Sequence, residues 1–341
     1  MHILTDCYNI VKYFEIIKAI EISYKGVGRV FRNFRYVCAV YEEGSFTKAA
    51  EKLFISQPSL SIAVKNIEKE IGADLFERRG NGARLTEVGR AYIAAAEKII
   101  CAESQFRREV NDIQGLESGQ FVLGGSNYLS SYVLPKLINR FTTLHPRVTI
   151  SLVEANSCNL MELLDREQVD IVVDNVEPSD KYMRYPLLEE EILLCVPKEN
   201  PVNKGLKKYR IDPKQIYTGK IDVASVAPVP LEEFKNEKFI LLKPGNNMHN
   251  RAMELFKKHC IEPNVAFSVD QLNISYALTD SGVGLSFVPD TFFKYGQFRE
   301  SVVLYKIEKQ CRRTLHIAHL HNKYCSKAMS EFIKLAGEVV K

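Results

Sequence analysis

The pattern of apolar and polar positions changes character along the chain, and each change predicts different elements. Between Phe34 and Glu43, the residues Phe34, Val37, Cys38 and Tyr41 recur at the i, i+3, i+4, i+7 spacing of one helical face, and Gly44 stops the run. Ser45 caps a second helix, Phe46 to Leu53, rich in Ala and Lys. Ser56 caps a third, with Pro58 in its first turn, where a missing N–H breaks no helical bond. Leu60, Val64, Ile67 and Ile71 form the apolar stripe of that third helix; Gln57, Ser61, Lys65 and Lys69 form its opposite face, and Gly72 ends it. Thr86 caps a long helix to about Gly115, about 43 Å at ~1.5 Å per residue. Its apolar positions Val88, Tyr92, Ala95, Ile99, Ala102 and Phe106 alternate in steps of four and three, and Val110 and Ile113 come after a shift. This predicts a coiled-coil seam with one irregularity. So long a helix needs a partner, either its own domain or a second copy, because propensity alone stabilises it little.

From about Gln120 strands alternate with helices. Phe121–Leu123, Val148–Val153, Val169–Val173 and Ile192–Val196 read as strands. Ser126 caps a helix holding Leu134, Leu137, Ile138 and Phe141, and another covers Leu160 to Leu164. A second series has strands at Phe239–Leu242, Val265–Val269 and Leu285–Val288, with helices at His249–Cys260 and about Gln271–Asp280. Strands Val302–Tyr305 and Leu315–Leu320 and a last helix from Ser326 close the chain. Strands separated by crossover helices predict an α/β fold with a parallel sheet.

Two short helices joined by a tight turn, the second showing small polar and basic groups, make a helix-turn-helix. The same pattern would fit a three-helix packing module with a solvated face. The segment after Gly72 favours the helix-turn-helix. Leu75–Arg79 and Arg84–Thr86 read as strands around Gly80-Asn81-Gly82, a wing with a glycine tip. Its arginines suit phosphates, which the guanidinium grips as a planar fork. A polar recognition helix beside a basic wing meets the needs of duplex DNA: phosphate contacts for affinity, base edges for sequence.

Four motifs stand in order: Glu43-Gly44-Ser45-Phe46-Thr47-Lys48-Ala49-Ala50, Ser56-Gln57-Pro58-Ser59-Leu60-Ser61, Leu75-Phe76-Glu77-Arg78, and Leu85-Thr86-Glu87-Val88-Gly89. Together they resemble the DNA-binding domain of LysR-type transcriptional regulators. One departure is that Ile62-Ala63 stands where that family often places Arg-Gln. The resemblance implies that Gln57, Pro58, Ser59, Ser61 and Lys65 approach base edges, and that Ser45, Thr47, Arg78, Arg84 and Thr86 hold phosphates. Ser45 and Thr86 are equally good helix caps. It also implies that the long helix is a dimer-forming linker through Val88, Tyr92, Ala95, Ile99, Ala102 and Phe106.

Glu189–Pro197 and Gly282–Pro289 look like parts of the effector domain of the same regulators, a two-lobed, periplasmic-binding-protein-like unit. The resulting organisation is a leader of open status (1–32), a winged helix-turn-helix (33–90), a linker helix (87–117) and an effector-binding domain (120–341). Lobe I covers about 120–196 and 289–341, lobe II about 197–288. Residues 198–238 are longer and more polar than the family pattern. Ligands of open α/β sheets bind beyond the carboxyl ends of strands, where helix N-termini offer free N–H groups. Ser126, Asn127, Asn156, Asn175, Asn247 and His249 come after such strand ends and form the candidate effector site. Singly each is a turn or cap residue; jointly they suggest one cleft. No arginine is read into it, which leaves the ligand's charge open.

Composition adds limits. Lys+Arg 46 against Asp+Glu 42 gives a net charge of only +4, so any nucleic-acid partner must be recognised by a local patch. With 46% hydrophobic and 26% charged residues the chain is an ordinary globular one. No apolar run of membrane-spanning length occurs. Eight scattered cysteines, none in CxxC, read as reduced core residues, and with no export signal they point to the cytoplasm. His316, His319 and His321 read as surface histidines rather than a metal site, and a Cys311–Cys325 redox pair is improbable. Gly26-x-Gly28, Gly80-x-Gly82 and Gly282-x-Gly284 each lack the third glycine of a dinucleotide fingerprint, and no P-loop or GxSxG is present. No cofactor and no catalytic residue are expected. One expectation for the leader is that translation starts near Val30; the alternative is a real extra helix through Ile10 to Ile20. The expected function is a DNA-binding regulator switched by a small molecule; the family resemblance adds RNA polymerase and a homodimer or homotetramer as partners. The rival readings are a solute-binding protein or an enzyme using the cleft.

Overall fold

The computed structural model describes residues 30–31, 33–77, 82–114, 118–296, 300–309 and 311–339. The leader through Arg29 and the wing tip with Arg78 lie outside these residues. The chain divides into two compact units between Glu103 and Ser104.

The first unit begins with three helices: α1 (Phe34–Glu43), α2 (Phe46–Lys52) and α3 (Gln57–Ile71). Gly44 adopts φ 60°, the left-handed conformation that closes α1. The Ser45 hydroxyl accepts from Lys48 N–H and the Ser56 hydroxyl from Ser59 N–H, so both predicted caps form. The strands β1 (Phe76–Glu77) and β2 (Arg84–Leu85) pair antiparallel, Phe76 opposite Leu85. The long helix α4 (Glu87–Ile113) starts at Thr86. The Thr86 hydroxyl donates to Asp74 C=O at 2.7 Å and accepts from Gly89 N–H at 2.9 Å. Val37, Val40, Ala49, Leu60, Val64, Ile67, Leu75, Tyr92, Ile93 and Ala96 make one core. Each large side chain there contributes about 1.5–3 kcal/mol by leaving water. Gly89 permits this packing: a Cβ there would stand 2.1 Å from the Leu75 carbonyl oxygen.

The second unit is built on β3 (Gly119–Gly125), β4 (Val148–Glu154), β5 (Ile171–Asp174), β6 (Tyr182–Pro197), β7 (Lys238–Leu242), β8 (Asn264–Val269), β9 (Ser286–Pro289), β10 (Val302–Lys306) and β11 (Arg312–Leu320). The strand order is β10-β6-β11-β5-β3-β4, with β9 also on β6, and β7 and β8 pair separately. Only β4-β3-β5 and β7-β8 are parallel; β9, β10 and β11 run antiparallel to β6. The expected parallel sheet is therefore a mixed one, because the chain returns to β6 from its far end. β6 is one 16-residue strand, not the short Ile192–Val196 segment. Its second half is buried on both faces, hence its unbroken apolar run. Leu193 and Cys195 enter the core with Phe292 and Phe293, while Ile192, Leu194 and Val196 enter a second core with Phe239 and Phe256.

The helices are α5 (Asn127–Tyr132), α6 (Leu134–Leu144), α7 (Ser157–Asp165), α8 (Pro213–Tyr217), α9 (Asn247–Lys258), α10 (Leu272–Asp280), α11 (Thr291–Tyr295) and α12 (Lys327–Val339). The single helix expected after Ser126 is two, broken at Val133, with Pro135 in the first turn of α6. The polar 198–238 stretch forms short 3-10 turns and α8. Within it Ile211, Ile216 and Val223 join the core of the first lobe, so the expected boundary at 197 is not a clean one. His319 is 5% exposed and stacks on Tyr185, which corrects its reading as a surface histidine. Burial holds its imidazole below the ordinary value. Among the described residues no group of His, Cys, Asp or Glu is arranged to hold a metal, and no helix is long and apolar enough to cross a membrane.

Candidate DNA interface and effector cleft

On α3 the stripe Leu60, Val64 and Ile67 is buried, which turns Gln57, Pro58, Ser59 and Lys65 to solvent. Ser61 is half-buried beside them and accepts from Gln57 Nε2 at 2.9 Å. The Ser59 and Ser56 hydroxyls share a hydrogen bond of 2.7 Å. Ile62, 60% exposed, lies on the same helix; an apolar group there suits contact with a thymine methyl. Thr47 and Arg84 are exposed, and Ser45 is half-buried. Thr86 spends both functions of its hydroxyl inside the fold, as cap and as tie to the Asp74 carbonyl, so its side chain has no donor left for a phosphate.

Along α4 the expected seam is uneven. Val88 is 40% and Phe106 65% exposed, Ala102 is exposed, and Ala95 and Ile99 are half-buried. Tyr92 does not belong to a free seam. Its ring stacks on Phe31 and its hydroxyl donates to Val30 C=O at 2.8 Å, so it is part of its own domain's core. The 4-3 spacing carried it into the seam by periodicity alone.

In the second unit the ends of β3, β4, β7 and β8 lead into α5, α7, α9 and α10, and these turns surround a cavity of about 150 Å³. Ser126, Asn127, Asn156 and Asn247 line it. Ser126 makes no side-chain capping bond, which frees the hydroxyl; Asn156 caps α7 through Asn159 N–H. Asn127 Oδ1 accepts from Asn273 Nδ2 at 2.7 Å. Two expected residues are not in the lining. Asn175 donates to Thr314 C=O at 2.8 Å and accepts from Arg251 Nη2 at 3.1 Å. His249 Nδ1 is bonded to Leu242 C=O at 2.6 Å. Both brace the walls.

Sequence reasoning missed Glu154, Asp174, Asp270, Gln271 and Arg313, all of which border the cavity. Behind it lies a buried polar cluster. Arg313 Nε donates to Glu190 Oε2 at 2.5 Å, and Tyr128 OH and Thr291 OH meet Glu190 Oε1. Burial disfavours the Arg313 cation, but Glu190, Tyr128 and Asp174 outweigh it and raise its pKa. Burial, reinforced by Glu190, pushes the Tyr128 phenol well above its ordinary value. Breaking such a buried pair from one side costs about 3–5 kcal/mol. The cluster therefore fixes Arg313 and Tyr128 as rigid walls. Arg313 follows Arg312 at the polar start of β11, so no pattern within that strand marks it.

Residues 31–90 match the bacterial regulatory helix-turn-helix protein, lysR family, and residues 114–341 match the LysR substrate binding domain. The chain is 29% identical over 307 residues to the uncharacterized HTH-type transcriptional regulator YcgK of Bacillus subtilis, covering 90% of this chain and 93% of that one. It is 29% identical over 261 residues to the HTH-type transcriptional regulator BenM of Acinetobacter baylyi, covering 76% and 79%. The crystal structure of full-length CbnR complexed with its target DNA shares the fold, with a TM-score of 0.64 at 20% identity over 91% of this chain and 99% of that one. A capped helix-turn-helix with an exposed polar stripe, then a two-lobed α/β unit matching across its length, makes this chain a member of the LysR family: a DNA-binding transcriptional regulator with an effector-binding domain.

Proposed function

We propose that the protein works in the cytoplasm as a homo-oligomer that places two helix-turn-helix units on one operator. The polar stripe of exposed Gln57 and Lys65 with half-buried Ser61 between them, set by the buried opposite face of α3, carries this reading. Gln57, Pro58, Ser59, Ser61 and Lys65 read base edges, Ile62 meets a thymine methyl, and Ser45, Thr47 and Arg84 hold phosphates. Ile99, Ala102 and Phe106 pair with a second copy. A small molecule in the cleft, held by Ser126, Asn127, Asn156 and Asn247, changes the spacing of the paired DNA-binding units and so the recruitment of RNA polymerase. The ligand shifts that equilibrium only by its difference in affinity for the two states.

The test is the salt dependence of operator binding. Arg84→Ala should weaken binding to all sequences and reduce the log–log salt slope by about one unit, whereas Lys65→Ala should lose discrimination between sequences. An unchanged slope in Arg84→Ala would remove its phosphate role.

A further inference from the structure

The cleft carries two opposed kinds of charge. Its lining includes the first turns of α7, α9 and α10, helices of nine, twelve and nine residues. Their leading N–H groups have no partner within the helix and form the positive end of its dipole, a setting that favours a carboxylate. The same lining holds the carboxylates Glu154, Asp174 and Asp270. Arg313 is the one cation among the described lining residues, and Glu190 already neutralises it. Asp270 is neutralised at the exposed rim by Lys243 at 2.7 Å.

Asp174 is the exception. It is 4% exposed, and its Oδ1 accepts from Asn175 N–H at 2.7 Å. Its Oδ2 has no hydrogen-bond partner among the described residues, and the residue borders the cavity. A buried carboxylate oxygen without a donor is costly, and a ligand that supplies a charged donor recovers that cost. Burial pushes the Asp174 carboxyl upward against the pull of Arg313, Ser157 and the Asn175 N–H, and a cation placed there would favour its charged form. The size of the cavity sets a second limit. About 150 Å³ is the scale that accepts a benzene-sized molecule, so the occupant has roughly six to ten non-hydrogen atoms. Leu242, Met248 and Leu272 give it a short apolar wall.

We propose that the cleft binds a small zwitterion of the α-amino-acid type, with its carboxylate at the helix N-termini and its ammonium donating to Asp174 Oδ2. This rests on reading the cleft as the effector site. A plain carboxylic acid would leave Asp174 Oδ2 without a donor, and a plain amine would leave the helix N-termini unused.

The experiment is calorimetric titration of the full chain with the common α-amino acids, each beside its carboxylic acid lacking the amine and its amine lacking the carboxylate. At least one small amino acid should bind, with both partners about tenfold or more weaker. Asp174→Asn should weaken the amino acid about tenfold while changing the matched acid by less than about threefold; Glu154→Gln, at an exposed strand end, should narrow the same preference by a smaller factor. A matched acid that binds as tightly as its amino acid, or a panel in which no amino acid binds, overturns the zwitterion. If those acids lose affinity in Ser126→Ala, the cleft remains the effector site and only the ligand class is wrong. A compound that binds Ser126→Ala and Asp174→Asn undiminished places the site elsewhere and overturns the underlying reading.

Discussion

Replacing Asp290 by asparagine should remove a pH dependence from the effector unit. Asp290 stands where β9 turns into α11, and its Oδ1 accepts from Glu191 N–H at 3.0 Å and Thr291 N–H at 2.9 Å. Burial, with the nearby Glu190 carboxylate adding to it, pushes its pKa up to about 7. In the unfolded chain an aspartate titrates near 3.9. The folded form therefore holds this proton more tightly. The resulting stability is complete below about pH 4 and is lost as pH rises through about 7. Between pH 5 and pH 7 the loss spans about two units, each worth about 1.4 kcal/mol, so roughly 3 kcal/mol. Asparagine keeps the Oδ1 acceptor and stays neutral. The assay is urea unfolding monitored by tyrosine fluorescence, since the chain has 16 Tyr and no Trp. The stability of Asp290→Asn relative to the parent should rise by roughly 3 kcal/mol between pH 5 and pH 8. Parallel pH profiles would mean that Asp290 titrates in the folded protein as it does in the unfolded chain, and its burial would then count for nothing.

Packing sets two further outcomes. Gly89→Ala forces a methyl against the Leu75 carbonyl and should cost the first unit about 2–4 kcal/mol, seen as a lower melting temperature and lost operator binding; a fully stable variant would show that the α4 start can shift freely. Phe106→Asp, at a side chain 65% exposed in the single chain, should leave the fold intact and dissociate the oligomer in sedimentation; a variant that stays dimeric would put the interface on another face.

Local periodicity made the helix-turn-helix legible. Each cap was a serine at a fixed offset, and the stripe Leu60-Val64-Ile67 determined which side of α3 meets solvent. The same local rule failed at Tyr92, because spacing along one helix cannot tell a neighbour in the same domain from a second copy. In the effector unit the strand ends were found, and Ser126, Asn127, Asn156 and Asn247 line the cavity, but at β5 the face was missed. At the end of β5 the side chain facing the cavity is Asp174, and its neighbour Asn175 turns to Thr314 and Arg251. Arg313 was invisible for another reason. It arrives on β11, paired antiparallel with β6 so that Arg313 lies opposite Glu190, and no pattern within either strand announces that register. The mixed sheet was missed for the same cause: long-range pairing with β6 is written in two distant segments.

Sequence-specific, effector-switched DNA binding is tested most directly by selecting genomic DNA fragments with the purified full chain, read by sequencing, with and without small metabolites. A few discrete sites are expected, each with two half-sites, whose occupancy or footprint changes when the effector is added, and Lys65→Ala should lose that site preference. Enrichment that tracks only general DNA affinity, with no discrete sites and no response to any small molecule, would contradict a switched, sequence-reading regulator.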